Sequence, residues 1–147
     1  MKTTILTFLA TAAIALAGEG HSHEKQAAGP HGGKLLEIQG GHAEFFVTPD
    51  RKAEVFLFDD ALKPVATGAA ELAVTAGTRE NPAKLAVEKS STSFVTAPLP
   101  SGSGYWVILQ YKPEPSAAAE TLRVKYIEGL CDGCKLQEYA CTCDHSH

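Results

Sequence analysis

The chain of 147 residues has no cysteine before position 131, a single tryptophan and a single methionine. It is also short of positive charge, with 13 Lys and Arg against 17 Asp and Glu and a formal net charge of −4. Without a Lys/Arg cluster to offset that balance, the sequence excludes a nucleic-acid binder. No apolar run reaches the ~20 residues of a membrane span. The longest, Ile5 to Ala17, has 13. No long helical period, internal repeat, nucleotide-binding glycine loop or hydrolytic motif is visible. What remains suits one globular domain, since 44% of residues are hydrophobic and 20% charged.

The apolar run has the marks of an export signal. Lys2 precedes it, and Ala15-Leu16-Ala17 ends it in an A-x-A pattern. A signal peptide over residues 1–17 is expected, cleaved after Ala17 and leaving no transmembrane segment. No cysteine follows the run, which argues against a lipid anchor. The mature chain then carries 12 basic and 17 acidic residues. Its expected location is periplasmic or secreted, an oxidising compartment.

Residues 18–33, GEGHSHEKQAAGPHGG, form a polar, glycine-rich, His-bearing arm that cannot bury a core and is expected to be flexible. From Lys34 the pattern becomes alternating apolar and polar runs parted by turn residues. Eight such runs between residues 34 and 128 predict an all-β fold, an antiparallel β-sandwich of about eight short strands. Ala53, Val55 and Leu57 should face the core, as should Tyr105, Val107, Leu109 and Tyr111, and Leu122, Val124 and Tyr126. Ala117 to Glu120 is a candidate helical turn. Residues 129–147 form a Cys/His-rich tail, with the sandwich core expected to end before it.

The first hairpin can be drawn in register. A Gly40-Gly41 turn sets Gln39 opposite His42, Ile38 opposite Ala43, Glu37 opposite Glu44 and Leu36 opposite Phe45. Leu36, Ile38, Ala43, Phe45 and Val47 then share the core face. Glu37, Gln39, His42 and Glu44 share the other, which is expected to be solvated. Glu37, His42 and Glu44 there make at most a weak auxiliary cation site.

The segments GPHGGKLLEI, HAEFFVT and KAEVFLFDDALKPV, within residues 29–66, resemble a family of small exported β-domain proteins related to the heavy-metal-binding domain of periplasmic efflux adaptor proteins. The resemblance covers less than half of the mature chain. It implies metal handling outside the cytoplasm and not catalysis, and within it His31 is carried over as a ligand. The chain has no coiled-coil hairpin of the adaptor kind.

The tail holds all four cysteines: Cys131-x2-Cys134, then Cys141-x-Cys143, followed by His145 and His147. Each cysteine pair is a chelating bite, and four thiolates can surround one tetrahedral ion or hold soft Cu(I) at lower coordination. The triplets His21-Ser22-His23 and His145-Ser146-His147 can bind Cu(II), Zn(II) or Ni(II) weakly. Two other readings stand beside metal binding. An even cysteine count in an exported chain suits two disulfides, cross-paired between the bites. Cys131-x2-Cys134 is also the dithiol spacing of thiol–disulfide exchangers, although these place it at the start of a helix in a βαβ fold.

The expected function is a non-enzymatic heavy-metal-binding protein, for Cu(I)/Cu(II) or Zn(II), serving as buffer or carrier in metal homeostasis or resistance. Its expected partners are the metal ion and a metal-efflux system or another periplasmic metal carrier. The alternatives are a thiol–disulfide exchange protein using Cys131 and Cys134, or a disulfide-stapled interaction module without metal.

Overall fold

The computed structural model describes residues 28–143. Ten strands are present among them: β1 (Lys34–Ile38), β2 (Gly41–Val47), β3 (Lys52–Phe58), β4 (Pro64–Val65), β5 (Glu71–Gly77), β6 (Pro82–Leu85), β7 (Val87–Lys89), β8 (Ser93–Pro98), β9 (Tyr105–Lys112) and β10 (Glu120–Tyr126). One sheet has the order β1-β2-β3-β8-β7, with β4 also paired to β3, and the other runs β10-β9-β5-β6. Every pairing between them is antiparallel. The expected all-β sandwich is what the chain forms.

Two differences raise the strand number above eight. Pro64–Val65 adds a two-residue strand beside β3. The run Ala83 to Glu88 splits: β6 pairs with β5 in one sheet, and β7 with β8 in the other. Leu85 and Val87 both pack against the core, on either side of this crossing. Ala117 joins only a turn, its amide donating to the Glu114 carbonyl, and Glu120 already belongs to β10.

The core is built as the alternation requires. Phe45, Val55, Val74, Phe94, Val107, Leu109 and Val124 are almost wholly excluded from solvent. Val55 sits between Phe45 on β2 and Phe94 on β8. The first hairpin turns one step earlier than expected, at Gln39-Gly40, so that Ile38 faces Gly41, Glu37 faces His42 and Leu36 faces Ala43. Gly41 opens β2, and the position requires glycine because a Cβ there would strike the Phe58 carbonyl. The pairing moves by two residues, so each side chain keeps its face. Leu36, Ala43 and Phe45 remain in the core.

Glu44 overturns the expectation of a solvated outer face, because it is fully buried. The segment before β1 folds over it. Ala28 bridges Lys34, and the Gly29 amide donates to the Gly33 carbonyl. This loop aims the His31 and Gly33 amides at Glu44 Oε1, each at 2.8 Å. His31 Nδ1 lies 2.7 Å from Oε2. A buried carboxylate is tolerated when its acceptor sites are filled in this way. The His31 ring stacks on Phe56 with centroids 4.0 Å apart, which closes the lid over the carboxylate. A Cβ at Gly29 would fall on the Glu44 side chain and one at Gly33 on the Phe45 carbonyl, so the glycines of Gly29-Pro30-His31-Gly32-Gly33 make the close approach possible.

Candidate metal centre

The tail is ordered by its own backbone before any ion is considered. The Cys131 amide donates to the Leu136 carbonyl, and the Lys135 amide returns to the Cys131 carbonyl at 2.9 Å. Lys135 adopts a positive φ of 61° to close this turn. Leu130 bridges Gln137, and the Glu138 amide donates to the Gly129 carbonyl. A single 3-10 turn, Glu138–Ala140, then reverses the chain and returns Cys141 and Cys143 to the first bite.

That turn is anchored in the sandwich. Tyr139 and Ala140 belong to the hydrophobic core. The Tyr139 ring meets Phe45 edge-on, with centroids 5.6 Å apart, and its hydroxyl accepts from the Val47 amide at 2.9 Å. The expectation that the core ends before residue 129 is therefore corrected. The tail contributes an aromatic that fills the end of the sandwich, because the chain between the bites is long enough to dip inward.

The four sulfurs converge. Cys131, Cys134, Cys141 and Cys143 place their Sγ atoms within 4.8 Å of one another. Cys131 to Cys141 is 3.3 Å, Cys134 to Cys141 3.7 Å and Cys131 to Cys143 3.8 Å. Thiolates around a tetrahedral ion at ~2.3 Å stand ~3.8 Å apart, so the edges fit one ion. All four cysteines are free thiols. Cys131 forms the buried floor, and the other three form a half-buried rim.

The surroundings treat the thiols unequally. Amides of Thr142 and Leu136 point at the Cys134 sulfur and hold its pKa down to about 6. The Cys143 amide donates to Cys141 Sγ at 3.4 Å and favours its thiolate. The neighbouring sulfur of Cys131 and burial outweigh that amide, and Cys141 is pushed up to about 12. Cys143 is raised by the Cys134 sulfur beside it and by burial. Such a cluster is poised to lose protons to an ion that replaces them.

The remaining sequence candidates lie elsewhere. His31 is not in the sulfur group: its Nδ1 is engaged by Glu44 and its ring by Phe56. Glu37 faces His42 across the hairpin, but Glu44 is enclosed beneath His31, so the three do not form an open cation site. His21, His23, His145 and His147 lie outside the described residues. Sequence reasoning missed Tyr139, the buried Glu44 and the sulfur-directed amides of Leu136 and Thr142. A lone aromatic between two cysteine bites is the signal available for Tyr139.

Comparison of the chain with protein-family models, with curated proteins and with solved structures returns no match. Among the described residues, no helix is long and apolar enough to cross a membrane.

Proposed function

We propose that this is an exported, non-enzymatic metal-binding protein that takes one Zn(II) or Cu(I) ion on Cys131, Cys134, Cys141 and Cys143, as a buffer or carrier in metal homeostasis or resistance. The observation that carries the reading is the convergence of four free sulfurs within 4.8 Å. A four-sulfur tetrahedron suits Zn(II), and a subset of the same thiolates suits Cu(I). The half-buried rim of Cys134, Cys141 and Cys143 gives an exchanging ligand or partner access to the ion, which a carrier requires. The periplasm is the compartment proposed, on the strength of the leader-like residues 1–17 and the resemblance in residues 29–66. The His triplets would add weaker capture, and a metal-efflux system or another periplasmic carrier would receive the ion. Competition titration of reduced mature protein against Zn(II) and Cu(I) chelators tests the reading. One ion per chain, lost when Cys131 and Cys134 are both changed to serine, is the expected result, and unchanged binding in that variant rejects the site.

One observation favours a second reading, thiol–disulfide exchange. Cys134 has the lowered pKa of an attacking thiol, at about 6. Its partner across the bite, Cys131, is buried. Reduction of a model disulfide at a rate that survives saturating zinc would favour exchange, whereas complete protection by one equivalent of zinc favours the metal site.

A further inference from the structure

The outer face of the four-stranded sheet carries a feature that the metal site does not use. On β9 the core side chains are Tyr105, Val107, Leu109 and Tyr111, so Trp106 and Ile108 point outward. On β10 Arg123 and Lys125 point the same way. Lys125 is opposite Trp106 on one side, and Gly77, with no side chain, is opposite it on the other. Trp106 is left 50% exposed, a large aromatic open to water.

Two clefts meet at this residue. One, of about 390 Å³, is lined by Lys34, Trp106, Arg123 and Lys125, by the carboxylate Glu138 and by Cys141. The other, of about 430 Å³, lies towards Arg79 and Pro82 and shares Trp106 and Arg123 as its wall. Together they form a track across the sheet whose lining includes a cysteine of the sulfur cluster. Lys34, Arg79, Arg123 and Lys125 supply four cations along it, on a chain whose net charge is −4. Among the described residues that line the two clefts, these four cations face one carboxylate, Glu138, so the track is net positive.

We infer that this track is a docking surface for an acidic segment of a partner protein, with an apolar side chain packed on Trp106 beside the cleft that Cys141 also lines. An exposed tryptophan beside an arginine has the composition of an interface centre, and the lysines around them suit its polar rim. Charge complementarity in an otherwise acidic protein selects an acidic partner and orients its approach. Two clefts joined at Trp106 and Arg123, rather than one cup, fit an extended polypeptide better than a small anion. The inference rests on the proposed metal role only for what docking accomplishes, which is to bring a donor or acceptor of the ion to the rim of the site.

Trp106 is the sole tryptophan, so its fluorescence reports the track directly. The test uses zinc-loaded mature protein and a synthetic peptide of about ten residues, rich in Glu and Asp around one Phe, long enough to span both clefts. Saturable change in Trp106 emission is expected, weakened by salt and reduced by about tenfold or more in the double variant R123E/K125E. The control K63E, in the exposed turn between β3 and β4, should bind as the parent does. Zinc affinity is measured on the same samples by chelator competition, which separates the failure of the track from that of the metal site. No saturation, equal binding by R123E/K125E, or a loss of zinc affinity in place of peptide affinity overturns the inference. So does tighter binding to phosphatidylglycerol vesicles than to the peptide, or concentration-dependent self-association that shields Trp106. If R123E/K125E does not fold, binding by the parent that is insensitive to salt refutes the inference by itself.

Discussion

The backbone amide of Val47 donates to the hydroxyl of Tyr139 at 2.9 Å, across 92 residues of sequence. This bond ties the last segment of the chain to the end of β2, while the Tyr139 ring packs on Phe45 and Tyr126. Burial raises the Tyr139 phenol above its ordinary pKa, so it stays protonated at neutral pH. The cysteine segment is thus part of the sandwich and not an appendage to it.

Truncation after Gly129 should therefore weaken the fold as well as remove the sulfurs. Tyr139→Ala should cost about 3–5 kcal/mol, the usual loss for a buried aromatic. Tyr139→Phe keeps the ring and strands the Val47 amide, at about 1–2 kcal/mol. Urea unfolding of the three proteins, metal-free and reduced, measures these losses. A truncated chain as stable as the parent would show that the core closes without Tyr139.

Glu44 should be among the least replaceable polar residues. Glu44→Ala leaves two backbone amides and the His31 imidazole without their acceptor and opens a cavity, at about 3 kcal/mol or more. Gly29→Ala forces a methyl group onto the same carboxylate and should cost about 1–3 kcal/mol. His31→Ala should cost less, because its ring is partly exposed and water can reach the vacated oxygen. Thermal unfolding of the three variants orders them, and a Glu44→Ala protein that melts with the parent contradicts the enclosure.

The contrast between Val55 and Glu44 shows what alternation can and cannot tell. Val55 lies on the apolar side of a period-2 run, and that side has only one place to go, so the sandwich and most of its core were legible. Glu44 lies on the polar side, which is solvated unless another segment covers it. The covering segment, Gly29 to Gly33, is itself polar, and its fit depends on missing side chains rather than on hydrophobicity. The hairpin register differs from the expected one for a related reason: Gln39-Gly40 and Gly40-Gly41 both suit a two-residue turn, and either keeps the apolar side chains on one face. The cysteine spacing made the sulfur cluster legible. Its docking through Tyr139 was not, because a single aromatic has no period.

Val55→Asp tests the sandwich itself. The side chain is 1% exposed between Phe45 and Phe94, where no cation is available to a carboxylate. An unpaired charge there should cost more than the whole ~5–15 kcal/mol by which such domains are stable, or force the aspartate to bind a proton. Circular dichroism should show loss of the β signal at neutral pH. A folded, fully β Val55→Asp protein would mean that this position is not interior.

Metal binding should tighten steeply with pH, and the thiols should not contribute equally. Cys134, held down to about 6 by amides of Thr142 and Leu136, is already largely a thiolate at pH 7 and has no proton to lose. Cys141, at about 12, and Cys143, also raised, must each release a proton when an ion binds. Each proton released adds a factor of ten in affinity per pH unit, so zinc affinity should rise by about 100-fold or more per unit near neutrality. The sign follows from competition: below the thiol pKa values protons occupy the sulfurs, and raising the pH removes them. Cys134→Ser should lower affinity yet leave the slope unchanged above about pH 7, because the deleted thiol was not titrating there. Cys141→Ser should lower affinity and reduce the slope by about one proton. Zinc competition with a chelator of known protonation behaviour, repeated at several pH values for the parent and both variants, reads the slopes directly. Equal slopes in the two variants would show that the unequal surroundings of Cys134 and Cys141 do not govern their protons.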